Sequence, residues 1–324
     1  MYEKYGPPDI LQFEEIEKPV PGDDEVSIRV RAASINPLDW KMMKGGPLLL
    51  RLLLGRGKPK IRRPGVDVAG VVEAAGRNVT QFQPGDAVFG ACVGAFAEYA
   101  VSKSVAGMKS ALVLKPDHVS FEQAASAPVA ALTALQGLRD KGRIQAGHKV
   151  LVNGAAGGVG TFAVQIARAF GATVTGVCST GNVDLVRSIG ADEVIDYTHE
   201  DFTQGRQRYD IVFDCVGNHS FVDCRRVLTP KGIHVGIGAP PDASLLRLLA
   251  GLLGGLVLAQ FVGQKTAFFI AKVNQPDLTA IGELLATRKV TPVIDRRYRL
   301  SEAREAFRYV AAGHARGKVI LIPE

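Results

Sequence analysis

Cysteine is scarce, with four in 324 residues. Cys92, Cys178, Cys215 and Cys224 show no C-x-x-C spacing and no paired histidines. This excludes a zinc knuckle and a recognisable disulfide framework, and makes a reducing cytoplasmic setting the expectation. Tryptophan occurs once and aromatic residues make up 7% of the chain. Although the net charge is +7, the basic residues are therefore not interleaved with aromatics as a nucleic-acid groove requires. Nucleic acid is not an expected partner, whereas the basic balance suits an anionic ligand. No apolar run reaches the roughly 18 residues of a membrane span. The longest, "LLAGLLGGLVLA" at 248–259, holds three glycines and reads as a buried or subunit-facing helix. The start "MYEKYGPP" lacks a basic stretch followed by an apolar core, so no secretory signal is expected. His118, His148, His199, His219, His234 and His314 are dispersed without metal or triad spacing, so no metal site is expected from them.

What is present is an ordinary globular balance, 47% hydrophobic and 22% charged, on a chain long enough for two domains. Up to about residue 115, short strand-like runs alternate with Gly and Pro: "ILQFEEI", "EVSIRVRAASI", "GVDVAGVVEAAG", "GDAVFG" and "AFAEYAVS". Such spacing predicts a small β-rich or barrel-like domain. From Phe121 the texture turns helical, then strands and helices alternate over 149–153, 158–170, 173–178, 183–189, 210–216 and 232–237. That succession predicts an α/β fold with a doubly wound parallel sheet. A helix at "SEAREAFRYVAAG" and a strand at "KVILIP" close the chain. The expected division is 1–120 with 262–324 as the β-rich domain, and 121–261 as the doubly wound one.

The stretch "LVNGAAGGVGTFAVQIAR", 151–168, carries the clearest chemistry. In a strand-turn-helix unit one glycine permits the tight turn, another lets the backbone approach a pyrophosphate, and a third lets the helix pack on its strand. Free N–H groups and the helix dipole then hold phosphates. Val159, Ala163, Ile166, Ala167 and Phe170 share one helical face, so the turn lies between a strand and an amphipathic helix. No Gly-Lys-Ser or Gly-Lys-Thr follows, which disfavours nucleoside triphosphate hydrolysis. At the end of the next strand an Asp or Glu would bind ribose hydroxyls and repel a 2′-phosphate. The chain instead reads "GVCSTGN", with Ser179, Thr180 and Asn182 able to donate to a phosphate, which favours NADP(H) over NAD(H). The same small polar residues would also suit the cap of the next helix.

From Gly147 to Arg168, "GHKVLVNGAAGGVGTFAVQIAR" resembles the fingerprint of the quinone oxidoreductase branch of the medium-chain dehydrogenase/reductases. A second match, "GVDVAGVVEAAGRNV" at 65–79, keeps the glycine and valine spacing of the zinc alcohol dehydrogenase signature, but Val66 and Asp67 replace its metal-binding His-Glu pair. The resemblance runs through the whole chain to "GHARGKVIL". It implies a Rossmann domain plus a GroES-like catalytic domain, a homodimer, and a small-molecule quinone or enone acceptor. Catalytic zinc needs about three converging His, Cys or carboxylate ligands, so no zinc is expected. Enoyl-thioester reduction, with the basic stretch 49–63 as an entrance for a phosphopantetheine arm, and a non-catalytic NADPH-binding role are the alternatives.

Carried over by position, "SINPLDWKMMKG" lines the nicotinamide site, making Asn36 the polar contact and Asp39 the residue ordering the turn. Lys41 stands where relatives often carry tyrosine, and would attract an anionic acceptor or donate a proton. The implied cofactor contacts are Asn153, Gly154, Ala155, Ala156, Gly157, Gly158, Val159 and Gly160 in the cradle, and Thr133 near the nicotinamide ribose. Tyr197 joins Ser179, Thr180 and Asn182 at the 2′-phosphate, where relatives place Lys or Arg and this chain has Gly181. Val216, Gly217, Ile237, Gly238, Phe269, Lys272, Arg316 and Lys318 complete the set.

Overall fold

The computed structural model describes residues 1–45, 59, 61–102, 110–238 and 263–324. The apolar stretch 248–259 and most of the basic stretch 49–63 lie outside the described residues. Two compact units emerge: Met1–Leu132 with Val273–Arg288 and Pro292–Glu324, and Thr133–Lys272 with Lys289–Thr291.

The chain opens with β1 (Val26–Ile35), α1 (Pro37–Lys44), β2 (Asp67–Ala75), β3 (Ala87–Ala91), β4 (Tyr99–Val101), β5 (Ala111–Leu114), α2 (Phe121–Ser126) and α3 (Pro128–Gln136). There follow β6 (Lys149–Asn153), α4 (Gly158–Ala169), β7 (Thr173–Cys178), α5 (Val183–Ser188), β8 (Glu193–Asp196), β9 (Tyr209–Asp214), α6 (Phe221–Cys224), β10 (Leu228–Gly236) and β11 (Lys265–Phe268). Last come α7 (Gln275–Ala286), β12 (Ile294–Arg299), α8 (Ala303–Ala311) and β13 (Lys318–Ile322).

In the first unit the sheet runs β12-β13-β1-β2-β3-β5, with β4 also on β1. Val26, Ile28 and Val30 of β1 point into a core shared with Val68, Val72 and Val88, while Arg29 and Arg31 face out. Each such apolar side chain contributes about 1.5–3 kcal/mol when fully buried, and the period of two fixes which face is inward. The expected strand at Ile10–Ile16 does not form. Phe13 and Ile16 are exposed, and a short 3-10 turn at Pro8–Ile10 precedes chain without ladder pairing. Acidic residues at 14, 15 and 17 and prolines at 19 and 21 oppose burial and remove ladder donors there.

In the second unit the order is β11-β10-β9-β6-β7-β8, and every pairing is parallel. Val150, Leu151 and Val152 of β6, like Ile211, Val212 and Phe213 of β9, have no exposed surface. Continuous apolar runs of this kind belong to strands covered on both faces. The order reverses between β6 and β9, and in such sheets ligands bind beyond the strand ends at that switch point.

The unit bounds differ from the expected ones at both ends. Residues 121–132 lie with the β-rich unit. Residues 263–272 lie with the Rossmann unit, because β11 pairs with β10 from Ile233↔Lys265 to Gly236↔Phe268. Lys289–Thr291 joins it as well, where the Gln165 amide donates to Thr291 O at 3.0 Å and accepts from Thr291 N at 2.8 Å. Among the described residues no helix is long and apolar enough to cross a membrane.

Candidate functional site

The glycine turn is made largely of main chain. Gly154 takes φ +80°, a left-handed conformation that favours glycine. Its N–H and that of Ala155 donate to Val177 O at 3.1 and 3.0 Å, and Gly157 N–H donates to Gly154 O at 3.0 Å. At Gly160 a Cβ would stand 2.0 Å from Gly154 O, so helix and turn approach closely enough to require glycine. At Gly157 the corresponding contact is 3.4 Å, which a methyl group tolerates. Ala155 and Ala156 are buried and pack the inner side of the turn. Gly157 is the N-cap of α4 without a side-chain cap, and the first turn holds no acidic residue. The N–H groups of Gly158, Val159 and Gly160 precede the first intrahelical bond, from Thr161 N to Gly157 O at 2.9 Å. Three amides and the positive end of a helix are thus turned toward whatever occupies the turn.

Beyond β7, Ser179 leads into a 3-10 turn at Thr180–Asn182. Asn182 Nδ2 donates to Ser179 Oγ at 3.0 Å, and Thr180 Oγ1 lies 3.0 Å from Thr198 Oγ1. Tyr197 donates its N–H to Cys178 O at 3.0 Å, and its side chain is 60% exposed, so it is not a core residue. No acid lies between Gly176 and Asn182 in the sequence, yet β8 brings one alongside by pairing Asp196 with Cys178. Asp196 Oδ1 accepts from Thr198 N at 3.0 Å and from Thr198 Oγ1 at 2.8 Å. A hydrogen bond from the Thr180 hydroxyl, with those from Thr198, holds its carboxyl below the ordinary range.

Asp214 closes β9 opposite Asn153, at the switch point. Its Oδ1 accepts from Asn153 Nδ2 at 2.8 Å, Val216 N at 3.0 Å and Gly217 N at 2.9 Å. Its main-chain oxygen accepts from Ile237 N at 3.0 Å and Gly238 N at 3.2 Å. One buried acid therefore ties together Asn153, Val216, Gly217, Ile237 and Gly238. A Cβ on Gly238 would meet Cys215 O at 2.4 Å, so these two strand ends are also in close contact. The His234 ring faces Asp214 Oδ2 with Nε2 at 3.6 Å, and its Nδ1 lies 3.1 Å from Thr266 Oγ1. Burial pushes the Asp214 carboxyl up, but the imidazole and the N–H groups of Gly217 and Val216 bring it below its ordinary value. With Cys224, these residues place ligand-type atoms within 4.8 Å of one another, all buried. No sequence spacing marks this group, since parallel pairing of β9 with β10 brings Asp214 to His234 and α6 supplies Cys224.

In the first unit the polar cluster forms at three adjacent strand ends. β1 pairs Ser34 with Asp67 of β2, and pairs Ile35 with Val319 of β13, which brings Lys318 to Asn36. Asp67 Oδ2 accepts from Ser34 Oγ at 2.9 Å and Asn36 Nδ2 at 2.8 Å, while Oδ1 accepts from Val129 N at 2.9 Å. Lys318 Nζ donates to Asn36 Oδ1 at 2.5 Å and stands 3.4 Å from Asp67 Oδ2. Asn36 is also the N-cap of α1, whose third residue, Asp39, accepts Asn36 N–H at 2.8 Å. Burial pushes the Asp39 carboxyl up to about 7; hydrogen bonds from Asn36 and Gly65 oppose this and nearby Asp67 adds to it.

Of the remaining expected contacts, Lys318 differs most: it is buried at 3% exposure and turned into the Asn36 cluster. Lys41, Lys272 and Arg316 are exposed, and Thr133 and Phe269 are half-buried. Lys272 exchanges main-chain bonds with the Gln136 amide at 2.9 and 2.8 Å, and Phe269 packs beside Gly137. Burial pushes the Cys92 thiol to about 12 and the Cys178 thiol to about 11, which leaves neither as a nucleophile at neutral pH. Asp214, Asp196 and Ser34 were not among the expected site residues. The available signal for the two acids was their position at the ends of apolar runs, "DIVFD" and "EVID".

Residues 22–115 match the family described as Alcohol dehydrogenase GroES-like domain, and 189–321 the one described as Zinc-binding dehydrogenase. The chain is 35% identical to the NAD(P)H oxidoreductase RTN4IP1, mitochondrial, of Mus musculus, covering 98% of this chain and 87% of that protein. It is 34% identical to the Quinone-oxidoreductase homolog, chloroplastic, of Spinacia oleracea, covering 98% and 95%. The solved structure of the Escherichia coli quinone oxidoreductase complexed with NADPH is similar with a TM-score of 0.81 at 25% identity, covering 99% of this chain and 98% of that one. The GroES-like sheet, the parallel Rossmann sheet and these relatives agree: the chain belongs to the quinone oxidoreductase family of the medium-chain dehydrogenases/reductases.

Proposed function

We propose that this oxidoreductase takes NADPH in preference to NADH and passes its hydride to a small quinone or α,β-unsaturated carbonyl, without zinc. The observation that carries the reading is the uncapped, acid-free start of α4 beyond a turn that a Cβ at Gly160 would fill. The residues fit a dinucleotide: Gly158, Val159 and Gly160 would hold the pyrophosphate through their N–H groups, and Ser179, Thr180 and Asn182 the 2′-phosphate, with Tyr197 open beside them. Thr133, Val216, Gly217, Ile237, Gly238, Phe269, Lys272 and Arg316 are assigned to the rest of the cofactor. When bound, the nicotinamide supplies the hydride.

The donor set does not fit catalytic zinc. Val66 offers no ligand atom, and both Asp67 oxygens already accept hydrogen bonds. The Lys318 ammonium at 3.4 Å from Asp67 Oδ2 opposes a second cation. Without a Lewis acid, acceptors that delocalise incoming charge are the suitable ones. Asn36 is assigned the polar contact to the acceptor and Asp39 the ordering of its turn, the solvent supplying the proton. The family resemblance adds a homodimer, which light scattering on the eluting peak of a sizing column checks.

The test is steady-state NADPH oxidation with 1,4-benzoquinone, 9,10-phenanthrenequinone, a 2-alkenal and crotonyl-CoA. Turnover with a quinone or alkenal is the expected result. Turnover confined to crotonyl-CoA would make the chain an enoyl-thioester reductase, and NADPH binding without any turnover would make it a binding protein.

A further inference from the structure

We propose that Lys318 and Asp67 are positioning residues that lock the side-chain amide of Asn36 in one orientation and thereby aim its remaining hydrogen at the acceptor oxygen. The proposal rests on the reading of Asn36 as the acceptor contact, but the lock itself is a property of the protein without any ligand.

Three elements deliver the charges to one place through register alone. Asp67 starts β2, Lys318 starts β13, and β1 lies between them with Ser34 and Asn36 at its end. Asp67 is 0% exposed, and Lys318 and Asn36 are each 3% exposed. Taking a carboxylate and an ammonium out of water costs several kcal/mol per ion, and a buried pair is often no more stabilising than apolar side chains of similar volume. Fold stability alone is therefore a poor reason for this arrangement.

What the pair does specify is the amide between its members. The Asn36 carbonyl oxygen accepts from Lys318 Nζ, and its Nδ2 donates to Asp67 Oδ2 at 2.8 Å. Rotating the amide by half a turn would set its oxygen against the carboxylate and its NH₂ against the ammonium. Two charge-assisted hydrogen bonds, each worth about 1.5–3 kcal/mol, would become two repulsions. Asn36 N–H is held separately by Asp39 at 2.8 Å, so backbone and side chain are both fixed. Nδ2 carries two hydrogens, and among the described residues only Asp67 accepts from it. The second hydrogen is the one left for a ligand. A donor fixed before the reaction is what stabilises charge growing on an acceptor oxygen without reorganisation.

The test compares the wild type, Lys318→Met and the double variant Lys318→Met/Asp67→Leu. Lys318→Met leaves a carboxylate buried and unpaired and is expected to lose stability; the apolar double variant is expected to recover it. In ¹⁵N-labelled protein without cofactor, the Asn36 NH₂ protons should exchange slowly in the wild type and at least about tenfold faster in the double variant. With NADPH and the best acceptor of the panel, kcat of the double variant should fall about 100-fold, as for a misplaced catalytic contact, with NADPH affinity unchanged within about twofold. Recovery of kcat together with stability would overturn the proposal, because the pair would then be structural only. Unchanged Asn36 exchange in the double variant would overturn the lock. A wild type that reduces no acceptor but shows protected Asn36 exchange would overturn the catalytic reading of Asn36 while supporting the lock.

Discussion

The glycine turn of the Rossmann unit and the Asn36 cluster of the β-rich unit both sit at strand ends, yet they are made from opposite materials. The turn works by leaving side chains out: Gly154 has a left-handed φ, Gly160 has no room for a Cβ, and the groups offered at the uncapped start of α4 are main-chain amides. The cluster works by burying charge, with Asp67, Asp39 and Lys318 all at 3% exposure or less. A site built from backbone is sensitive to added volume and indifferent to pH. A site built from buried charges is sensitive to neutralisation and to pH, because each group is balanced against its neighbours.

The largest effect should follow from adding volume to the turn. Gly160→Ala places a methyl group against Gly154 O, and NADPH affinity, measured by nucleotide fluorescence, should fall about 1000-fold, roughly 4 kcal/mol. Gly157→Ala, with its milder contact, should lower NADPH affinity by less than about threefold; equal affinity losses for both would mean that the turn is not limited by Cβ space.

Charge in the other unit should respond to pH with a definite sign. The Asp39 carboxyl is raised to about 7 in the folded protein, so between about pH 4 and 7 the native state binds the extra proton. Stability from this group is present at low pH and is lost as pH rises through about 7, by at most about 4 kcal/mol. Asp39→Asn should remove that slope. In urea titrations, the stability difference between variant and wild type should move in favour of the variant from pH 5 to pH 8, and a constant difference would contradict the assignment.

Smaller effects distinguish the two kinds of phosphate contact. Ser179→Asp should weaken NADPH about tenfold more than NADH by like-charge repulsion. Asp196→Asn should shift the same ratio the other way by about threefold, since its carboxylate already faces that turn. Equal changes for both cofactors would place the 2′-phosphate elsewhere. Lys41→Ala is the smallest, with kcat/KM expected within about twofold, because the side chain is exposed.

The Rossmann half was readable from the sequence because its signals are local. Gly154 and Gly160 are spaced for a turn and a close helix, and the apolar runs of β6, β7 and β9 are bounded by turns. β8 and β11 were not readable, being four-residue edge strands without fully buried positions. Missing β8 also hid Asp196, since an acid in the next strand becomes a neighbour of Ser179–Asn182 only through parallel register. Asn36 and Asp39 were legible by resemblance, but the inward turn of Lys318 was not. A lysine after Gly317 at the start of a strand reads as solvated until β13 is placed beside β1 and Asp67 beyond it. Local pattern reveals what one segment does; charge partners drawn from three strands require the topology.

Hydride transfer by this chain is proposed to need no metal. Its most direct test is the rate of NADPH oxidation by chelator-treated protein in the presence of 9,10-phenanthrenequinone or a 2-alkenal, with reduced acceptor quantified alongside. Turnover should be undiminished by chelation, with one NADPH consumed per acceptor reduced. Turnover abolished by the chelator and restored by zinc would contradict it.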